Sequence, residues 1–204
     1  MENNRYSLSF TTGSLFHHES VMLADLYLDL KGWNAVRDRC LSDNLLQART
    51  LRTSKNICRE IISRLKQLCL PELDLLVHTD SQTQGYILWL AVCRRYQFIA
   101  DFAVEVLRER FISLKNDLQY EDFDAFFNQK AEWHAELEKT HPVTKTKLRQ
   151  VLFRILREAD LLSAENTINA AVLSPRLLAV IPPENHRDVL FFPLFEAGAG
   201  GVRK

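Results

Sequence analysis

The chain has 204 residues, of which 47% are hydrophobic and 25% are charged, and it contains only six glycines and six prolines. This composition is typical of a globular protein with a substantial core, and it argues against long disordered stretches. The 26 basic and 26 acidic residues give a formal net charge of zero, which excludes a protein that is basic over its whole surface.

Helical periodicity begins in the first third of the chain. Ser14 is predicted to cap a first helix that runs to about Leu30 and stops at Gly32. Asn34 is predicted to cap a short second helix. After a turn, Thr53 is predicted to cap a strong helix whose apolar residues recur on one face.

The middle of the chain is predicted to contain the most buried helix. Ser81-x-x-Gln84 has the pattern of a capping box, which marks a helix start. The segment Tyr86–Cys93 that follows is apolar on every side, and this predicts a central helix buried all round. Further helices are predicted over about 97–112 and around Phe123.

The character of the sequence changes near its end. The dipeptide His141-Pro142 is the best candidate boundary, after which Thr144 is predicted to cap a long helix. The β-branched residues that follow make a small β-hairpin possible near 165–174. Ser174 is predicted to open one more helix, and the final AGAGGVRK is predicted to be a mobile tail.

Charge divides the chain into three parts. Residues 1–70 contain ten basic and seven acidic residues, residues 71–140 contain seven and thirteen, and residues 141–204 contain nine and six. We therefore expect a basic N-terminal helical module, an acidic helical core and a C-terminal module, joined in one compact unit. Clustered charge of this kind shapes the local potential even when the total is zero.

The two long helices near the ends are predicted to be basic on one face and almost free of acids. Such faces suit phosphate contacts, which are also favoured at a helix N-terminus. Many basic helix faces bind nothing, so a solvated surface is the alternative interpretation. Arg64 is set apart, because it follows Glu60 by four residues and is predicted to form an internal ion pair. The candidate DNA-binding residues are Arg49 and Arg52 just before the first helix, Thr53, Lys55, Arg59 and Lys66 on it, and Lys145, Lys147, Arg149, Gln150, Arg154 and Arg157 on the second.

Residues 130–181 also have the outline of a helix-turn-helix with a wing. A helix, a turn at His141-Pro142, a second helix and the possible hairpin follow one another in the expected order. In such a module the second helix is offered to a DNA groove. Phe153 points away from the apolar stripe of that helix, so it is predicted either to stack on a base or to meet another part of the chain.

Other residue groups resemble chemical sites only superficially. His17-His18-Glu19 lacks a histidine at helical spacing, so no metal site is expected there. The acidic residues around Phe123 are interpreted as capping residues of a helix start rather than as acid–base catalysts. The sequence has no nucleotide-binding or nucleophile motif, so we expect no enzyme and no cofactor. The four cysteines Cys40, Cys58, Cys69 and Cys93 are interpreted as free thiols in a reducing cytosol.

The apolar pattern of the sequence also indicates where in the cell the protein is found. The longest apolar stretch, Tyr86–Cys93, is far shorter than the roughly 20 residues that a membrane helix needs. The N-terminal residues lack the apolar run of a secretory signal. We therefore expect a soluble cytoplasmic protein without membrane insertion.

Six segments together resemble one known family. They are Ser7-Leu-Ser-Phe-Thr-Thr-Gly-Ser-Leu-Phe, Trp33-Asn-Ala-Val-Arg, Asn44-Leu-Leu-Gln-Ala-Arg-Thr-Leu-Arg-Thr with Arg59-Glu-Ile-Ile-Ser-Arg-Leu, Gln84-Gly-Tyr-Ile-Leu-Trp-Leu-Ala-Val-Cys-Arg-Arg-Tyr, and Phe98-Ile-Ala-Asp-Phe-Ala-Val-Glu-Val-Leu. The sequence is similar through these segments to BrxA, a small component of the bacterial BREX (bacteriophage exclusion) systems. The likeness covers nearly the whole chain and weakens in the last fifteen or so residues.

The resemblance implies a fold and a role. It implies an all-α, compact multi-helix bundle likened to the antitermination factor NusB, with helix-turn-helix-like modules. It also implies a non-enzymatic protein that binds double-stranded DNA and works beside other BREX proteins. From the residues alone, a protein-interaction adaptor and an RNA-binding protein stay open as alternatives.

Overall fold

Helices account for nearly all the regular structure of the chain. The structure is a computed structural model, and it describes residues 5–11 and 13–195; the predicted tail 197–204 lies outside them. The described residues contain no β-strand, so the all-α prediction is confirmed. The helices are α1 (His17–Leu30), α2 (Trp33–Ser42), α3 (Leu51–Leu65), α4 (Leu70–Val77), α5 (Ser81–Arg95), α6 (Gln97–Phe102), α7 (Glu109–Ile112), α8 (Tyr120–Ala131), α9 (Ala135–Glu138), α10 (Pro142–Glu158) and α11 (Pro175–Val180).

Two helices begin earlier than predicted because an earlier residue does the capping: α3 begins two residues before its predicted cap, and α5 begins at its predicted cap. Thr50, not Thr53, caps α3: its side chain accepts a hydrogen bond from the backbone N–H of Thr53 at 3.1 Å. Asp80 caps α5 in the same way, accepting from the backbone N–H of Thr83 at 2.9 Å. In both cases the N-cap oxygen must lie three residues before the amide that it binds, which the earlier residue satisfies.

Three other predicted caps are also wrong. The backbone of Phe16 enters α1 in the left-handed region, so Ser14 lies outside the helix. Gly32 precedes α2 directly, in place of Asn34. His141 caps α10, because Pro142 occupies the first helical position, where its missing N–H is harmless.

The prediction of a central buried helix is confirmed by α5. Every residue from Tyr86 to Cys93 is buried, and α5 packs against α1, α3, α4, α6 and α10. The indole N–H of Trp89 donates a hydrogen bond to the backbone carbonyl of Phe191 at 3.0 Å, so this buried polar group is satisfied. One cluster of buried residues extends from Tyr6 to Phe192 and draws on all three charge-defined parts of the chain.

Aromatic rings fill the space between the predicted helix over 97–112 and the helix that follows it. A π-helical turn (Ala103–Arg108) joins α6 to α7 without a break, so the first of these helices is continuous. Phe98 of α6 lies 5.2–5.9 Å, centroid to centroid, from three phenylalanines of α8. These edge-on contacts attach α8 to the core.

The predicted β-hairpin wing near 165–174 is wrong. The segment is extended but forms only two isolated antiparallel bridges, Leu162–Ile168 and Asp117–Thr167. Its backbone hydrogen bonds go to different segments of the chain. The N–H of Ile168 donates to the carbonyl of Asn116 at 2.7 Å, and the N–H of Ala171 donates to the carbonyl of Pro193. No ladder can grow when successive amides bind different partners.

A buried ion-pair network attaches the C-terminal segment to the core. Arg94 of α5 donates to Glu72 of α4 at 2.6 Å and to Asp188 at 2.5 Å. Asp188 belongs to a 3₁₀ segment, Pro183–Phe191. Burial alone would lower the pKa of Arg94, but its hydrogen bonds and charge interactions with both carboxylates keep that pKa above its ordinary value.

Candidate nucleic-acid interface

The helix α3 belongs to a group of three helices in contact with one another. Both α1 and α2 pack on α3, and α1 also packs on α2. The side of α3 that faces them and α5 buries Cys58, Ile61 and Leu65 completely. The opposite side of α3 is therefore directed to solvent.

That solvent-facing side carries a concentration of positive charge. Arg49, Arg52, Lys55, Arg59 and Lys66 are all exposed. Among the residues that the structure describes, no carboxylate lies within ion-pair distance of any of the five. Lys55, Arg59 and Lys66 fall within about 40° of one another around the helix axis. We call these five residues the α3 cationic face.

The first turn of α3 adds backbone donors to this face. Thr50 and Thr53 are exposed, and their hydroxyl groups lie 2.9 Å apart. The amides of the first turn that Thr50 does not bind have no acceptor within the helix. Together with the positive end of the helix dipole, these amides favour an anion such as phosphate.

Arg64 has a structural role on the other side of α3. It is only 3% exposed, and its Nε donates to Glu60 at 2.8 Å, which confirms the predicted internal ion pair. It also donates to the carbonyl of Ser14 at 2.8 Å. Tyr96, which lies between α5 and α6, donates its hydroxyl proton to Glu60 at 2.5 Å, and burial together with this bond raises the pKa of Tyr96 to about 12. Glu60 is therefore occupied and does not neutralise the α3 cationic face.

The second predicted surface, on α10, is arranged differently. Lys145 lies 3.5 Å from Asp124 of α8 and donates to Asn128 at 2.9 Å. Arg149 forms an ion pair with the same Asp124 and lies over the ring of Tyr120. Both cations are half-buried against α8, so their charge is largely compensated within the fold.

The remaining α10 residues divide into paired and open positions. Arg157 donates to Asn166 at 2.5 Å, and Arg154 lies 4.0 Å from Glu158, which also accepts from the backbone of Leu15. Lys147 and Gln150 are exposed and have no side-chain partner among the described residues. Arg154 stays 64% exposed beside Glu158, so the accessible part of α10 is a narrow stripe of Lys147, Gln150 and Arg154.

Phe153 packs inside the protein. It is completely buried, and its ring meets Tyr120 at 4.7 Å between centroids. Of the two alternatives for this residue, contact with another part of the chain is confirmed and stacking on a base is wrong.

The acidic residues around Phe123 hold the fold together. Asp122 accepts from the backbone N–H of Gln119 at 2.7 Å at the start of α8, as a capping residue does, and also pairs with Arg110. The hydrogen bond from Arg110 is the main reason that the pKa of Asp117 is lowered. The capping interpretation is confirmed for Asp122, and its neighbours add ion pairs that sequence reasoning did not find.

Neither the histidines nor the cysteines form a metal site in the described part of the chain. His17 bonds through its Nε2 to Gln84 at 3.0 Å. No group of three or more potential metal ligands occurs among residues 5–11 and 13–195. Cys40, Cys58 and Cys93 are buried free thiols, and Cys69 is half-buried.

Comparison with known proteins identifies the family. The sequence profile of the BrxA family matches residues 4–185, which is most of the chain. The chain belongs to the BrxA family. The resemblance in the six sequence segments is therefore confirmed.

A BrxA relative and a solved structure extend this assignment. "BREX protein BrxA" from Bacillus cereus (strain H3081.97) is 28% identical over 127 residues, which cover 62% of this chain and 64% of the relative, so the match spans less than two thirds of that protein. The crystal structure of an uncharacterized protein from Magnetospirillum magneticum superposes with a TM-score of 0.80 at 20% identity, covering 93% of this chain and 98% of the other. At that identity the superposition shows a shared fold.

A helix that spans a membrane must be long and apolar. None of the helices formed by the described residues is both long enough and apolar enough to cross a bilayer.

Proposed function

We propose that this protein is a non-enzymatic, DNA-binding accessory component of a BREX phage-defence system, working in the cytoplasm. The observation that carries the proposal is the α3 cationic face, where five exposed basic residues have no carboxylate partner among the described residues. Such a face attracts duplex phosphates by releasing condensed counterions, and it does so in a largely sequence-tolerant way.

The BREX assignment rests on family membership. The chain belongs to the BrxA family, and its relative from Bacillus cereus has the name of a BREX protein. A role in phage defence, beside other BREX proteins, is the function that this kinship favours.

The arrangement of α1, α2 and α3 supports a helix-turn-helix-like docking mode. The segment between α2 and α3, residues 43–50, is longer than the three to four residues of the strict motif, but α3 is the second helix and is exposed along one side. In such modules the second helix enters the major groove with its N-terminal residues closest to the bases. Arg49, Arg52 and Thr53 occupy that end of α3.

The α10 stripe is proposed as a secondary contact. Lys147, Gln150 and Arg154 are exposed along one line of the helix and can reach phosphates while the fold stays unchanged. Lys145, Arg149 and Arg157 would contribute at its edges only by exchanging their present partners, Asp124 and Asn166. We therefore assign the larger share of the binding free energy to α3.

A protein-interaction adaptor is the second candidate function. Trp133 is 77% exposed and lies between the acidic residues Glu132 and Glu136, in the connection from α8 to α9. Exposed tryptophans are frequent anchors of protein interfaces. If the protein is an adaptor, Trp133→Ala should abolish co-purification with other BREX proteins while duplex binding is retained.

A mobility-shift experiment tests the DNA-binding proposal directly. The purified protein is titrated onto a generic duplex at 50 and 200 mM salt, with a single-stranded RNA of equal length as competitor. We expect the protein to bind the duplex at low salt and to bind it much more weakly at high salt. The RNA should be a weaker competitor than duplex DNA. Absence of binding at 50 mM would refute the proposal, and preference for RNA would replace DNA by RNA as the ligand.

A further inference from the structure

The most outward line of α3 is formed by three residues that are not all charged. Arg52, Asn56 and Arg59 follow one another at intervals of four and three residues, so they fall within about 60° around the helix axis. All three are exposed. Lys55 and Lys66 lie on one flank of this line, about 40–60° from Arg52.

Asn56 has no structural role in the fold. Its side chain makes no hydrogen bond to a described residue, and capping of α3 is done by Thr50 instead. Asparagine in a helix interior is less favourable than alanine by up to about 0.7 kcal/mol, because its side chain competes for backbone hydrogen bonds. Helix stability therefore does not explain an asparagine at this position.

We infer that Asn56 is a base-reading residue that gives α3 a preference for adenine in the major groove. The inference rests on the proposed function, since it requires α3 to lie in that groove. The carboxamide of Asn56 has a donor and an acceptor side by side. Its Nδ2 can donate to adenine N7 while its Oδ1 accepts from the exocyclic N6 amino group.

The basic residues around Asn56 can make the remaining contacts to bases and phosphates. Residues on the central line of a groove-bound helix face base edges, whereas residues on its flanks face the phosphates. Arg52 and Arg59 can each bind guanine O6 and N7 with two hydrogen bonds, and Lys55 and Lys66 lie where the backbone would pass. The line from Arg52 to Arg59 is about 10 Å long, which corresponds to about three base-pair steps.

The chemistry of Asn56 favours base reading over phosphate binding. A neutral amide releases no counterion, so it adds little to the electrostatic attraction that the five cations already supply. Paired with adenine, however, it discriminates against the other bases by roughly 5- to 100-fold. The preferred site is thus a short stretch in which an adenine lies between guanines, within an otherwise sequence-tolerant footprint.

The first experiment uses the unaltered protein. Duplexes randomised over six base pairs are incubated with it, and the bound fraction is sequenced. The best duplex is then remade with 7-deazaadenine at the selected adenine, which removes the N7 acceptor and leaves Watson–Crick pairing intact. We expect enrichment of adenine and a loss of affinity of about 5- to 100-fold on deaza substitution.

The second experiment uses Asn56→Ala and, as a matched control, Asn34→Ala at an exposed position of α2. Asn56→Ala should abolish the adenine preference and leave the salt dependence unchanged, and Asn34→Ala should alter neither. Two results would overturn the inference: no base enrichment with the unaltered protein, or a preference that survives Asn56→Ala. A protein that binds no duplex at all would refute the proposed function itself, which separates the two failures.

Discussion

Removing three charges from the α3 cationic face should flatten the salt dependence of duplex binding. The variant is Arg52→Ala, Lys55→Ala and Arg59→Ala together. All three side chains are exposed, and none pairs with a carboxylate of a described residue, so their removal takes away neither core packing nor an internal ion pair. The stability of the fold should therefore change little, and any change in binding reports on the interface.

The size of the effect follows from counterion release. On a generic duplex, which offers no preferred bases, all five cations of the α3 cationic face contact phosphates. Each phosphate contact contributes about 0.9 to the slope of log affinity against log salt, so the five give about −4.5. Between 50 and 200 mM salt the affinity should then fall about 500-fold. With two cations left, the slope becomes about −1.8 and the fall is only about 12-fold.

Fluorescence anisotropy on a labelled generic duplex at three salt concentrations measures both slopes. The matched control is Lys115→Ala, Lys139→Ala and Arg176→Ala, which removes the same charge from exposed positions on other segments. We expect the control to have the same slope as the unaltered protein, to within the roughly 0.9 that one phosphate contact contributes. An unchanged slope in the α3 variant, or an equal change in the control, would refute the assignment of the interface to α3.

Three further predictions concern stability and the second surface. Arg94→Met leaves Glu72 and Asp188 without their shared cation, so urea unfolding should show a loss of about 3–5 kcal/mol; a loss under about 1 kcal/mol would contradict the role of the network. The pKa of Tyr96 is about 12 in the folded protein against an ordinary 10.0, so its contribution is complete below pH 10 and is lost as the pH rises towards 12. Urea unfolding between pH 8 and 11 should show this decline, and Tyr96→Phe should show less of it. Lys147→Glu should weaken duplex binding without lowering Tm, and an unchanged affinity at 50 mM salt would remove Lys147 from the interface.

Apolar periodicity in the sequence was sufficient to predict most of the helices and the buried side of α3. The apolar side chains of Tyr86–Cys93 point to every side of their helix, so they avoid water only if the helix is buried all round. The helix α5 is buried in that way. Such predictions succeed because burial depends on the local period of apolar residues. The ion pair of Arg64 with Glu60 was predictable for the same reason, since both residues lie on one helix.

Cap positions were less predictable because several polar residues compete for one role. Thr50 and Thr53 are both good N-cap residues, and only the backbone conformation distinguishes them: Thr50 is extended, whereas Thr53 already lies inside α3. The β-hairpin failed for a related reason. Its β-branched residues do favour an extended backbone, but the partners that bind it, Asn116 and Pro193, come from distant parts of the chain.

The charge of a helix face is the property that sequence predicts least well, and α3 and α10 show why. Both helices are rich in basic residues, yet among the described residues the acids of the middle part pair with the cations of α10 and not with those of α3: Asp124 of α8 meets both Lys145 and Arg149. The two acids that precede α3 most closely in the chain, Asp38 and Asp43, are already occupied, since they pair with arginines of α2 itself. In the part of the chain that the structure describes, α3 thereby keeps an uncompensated cationic face although the formal net charge is zero, because Asp38, Asp43 and Glu60 are paired elsewhere. DNA binding by such a protein depends on which cations the fold leaves unpaired, and neither the net charge nor the count of basic residues on a helix determines that.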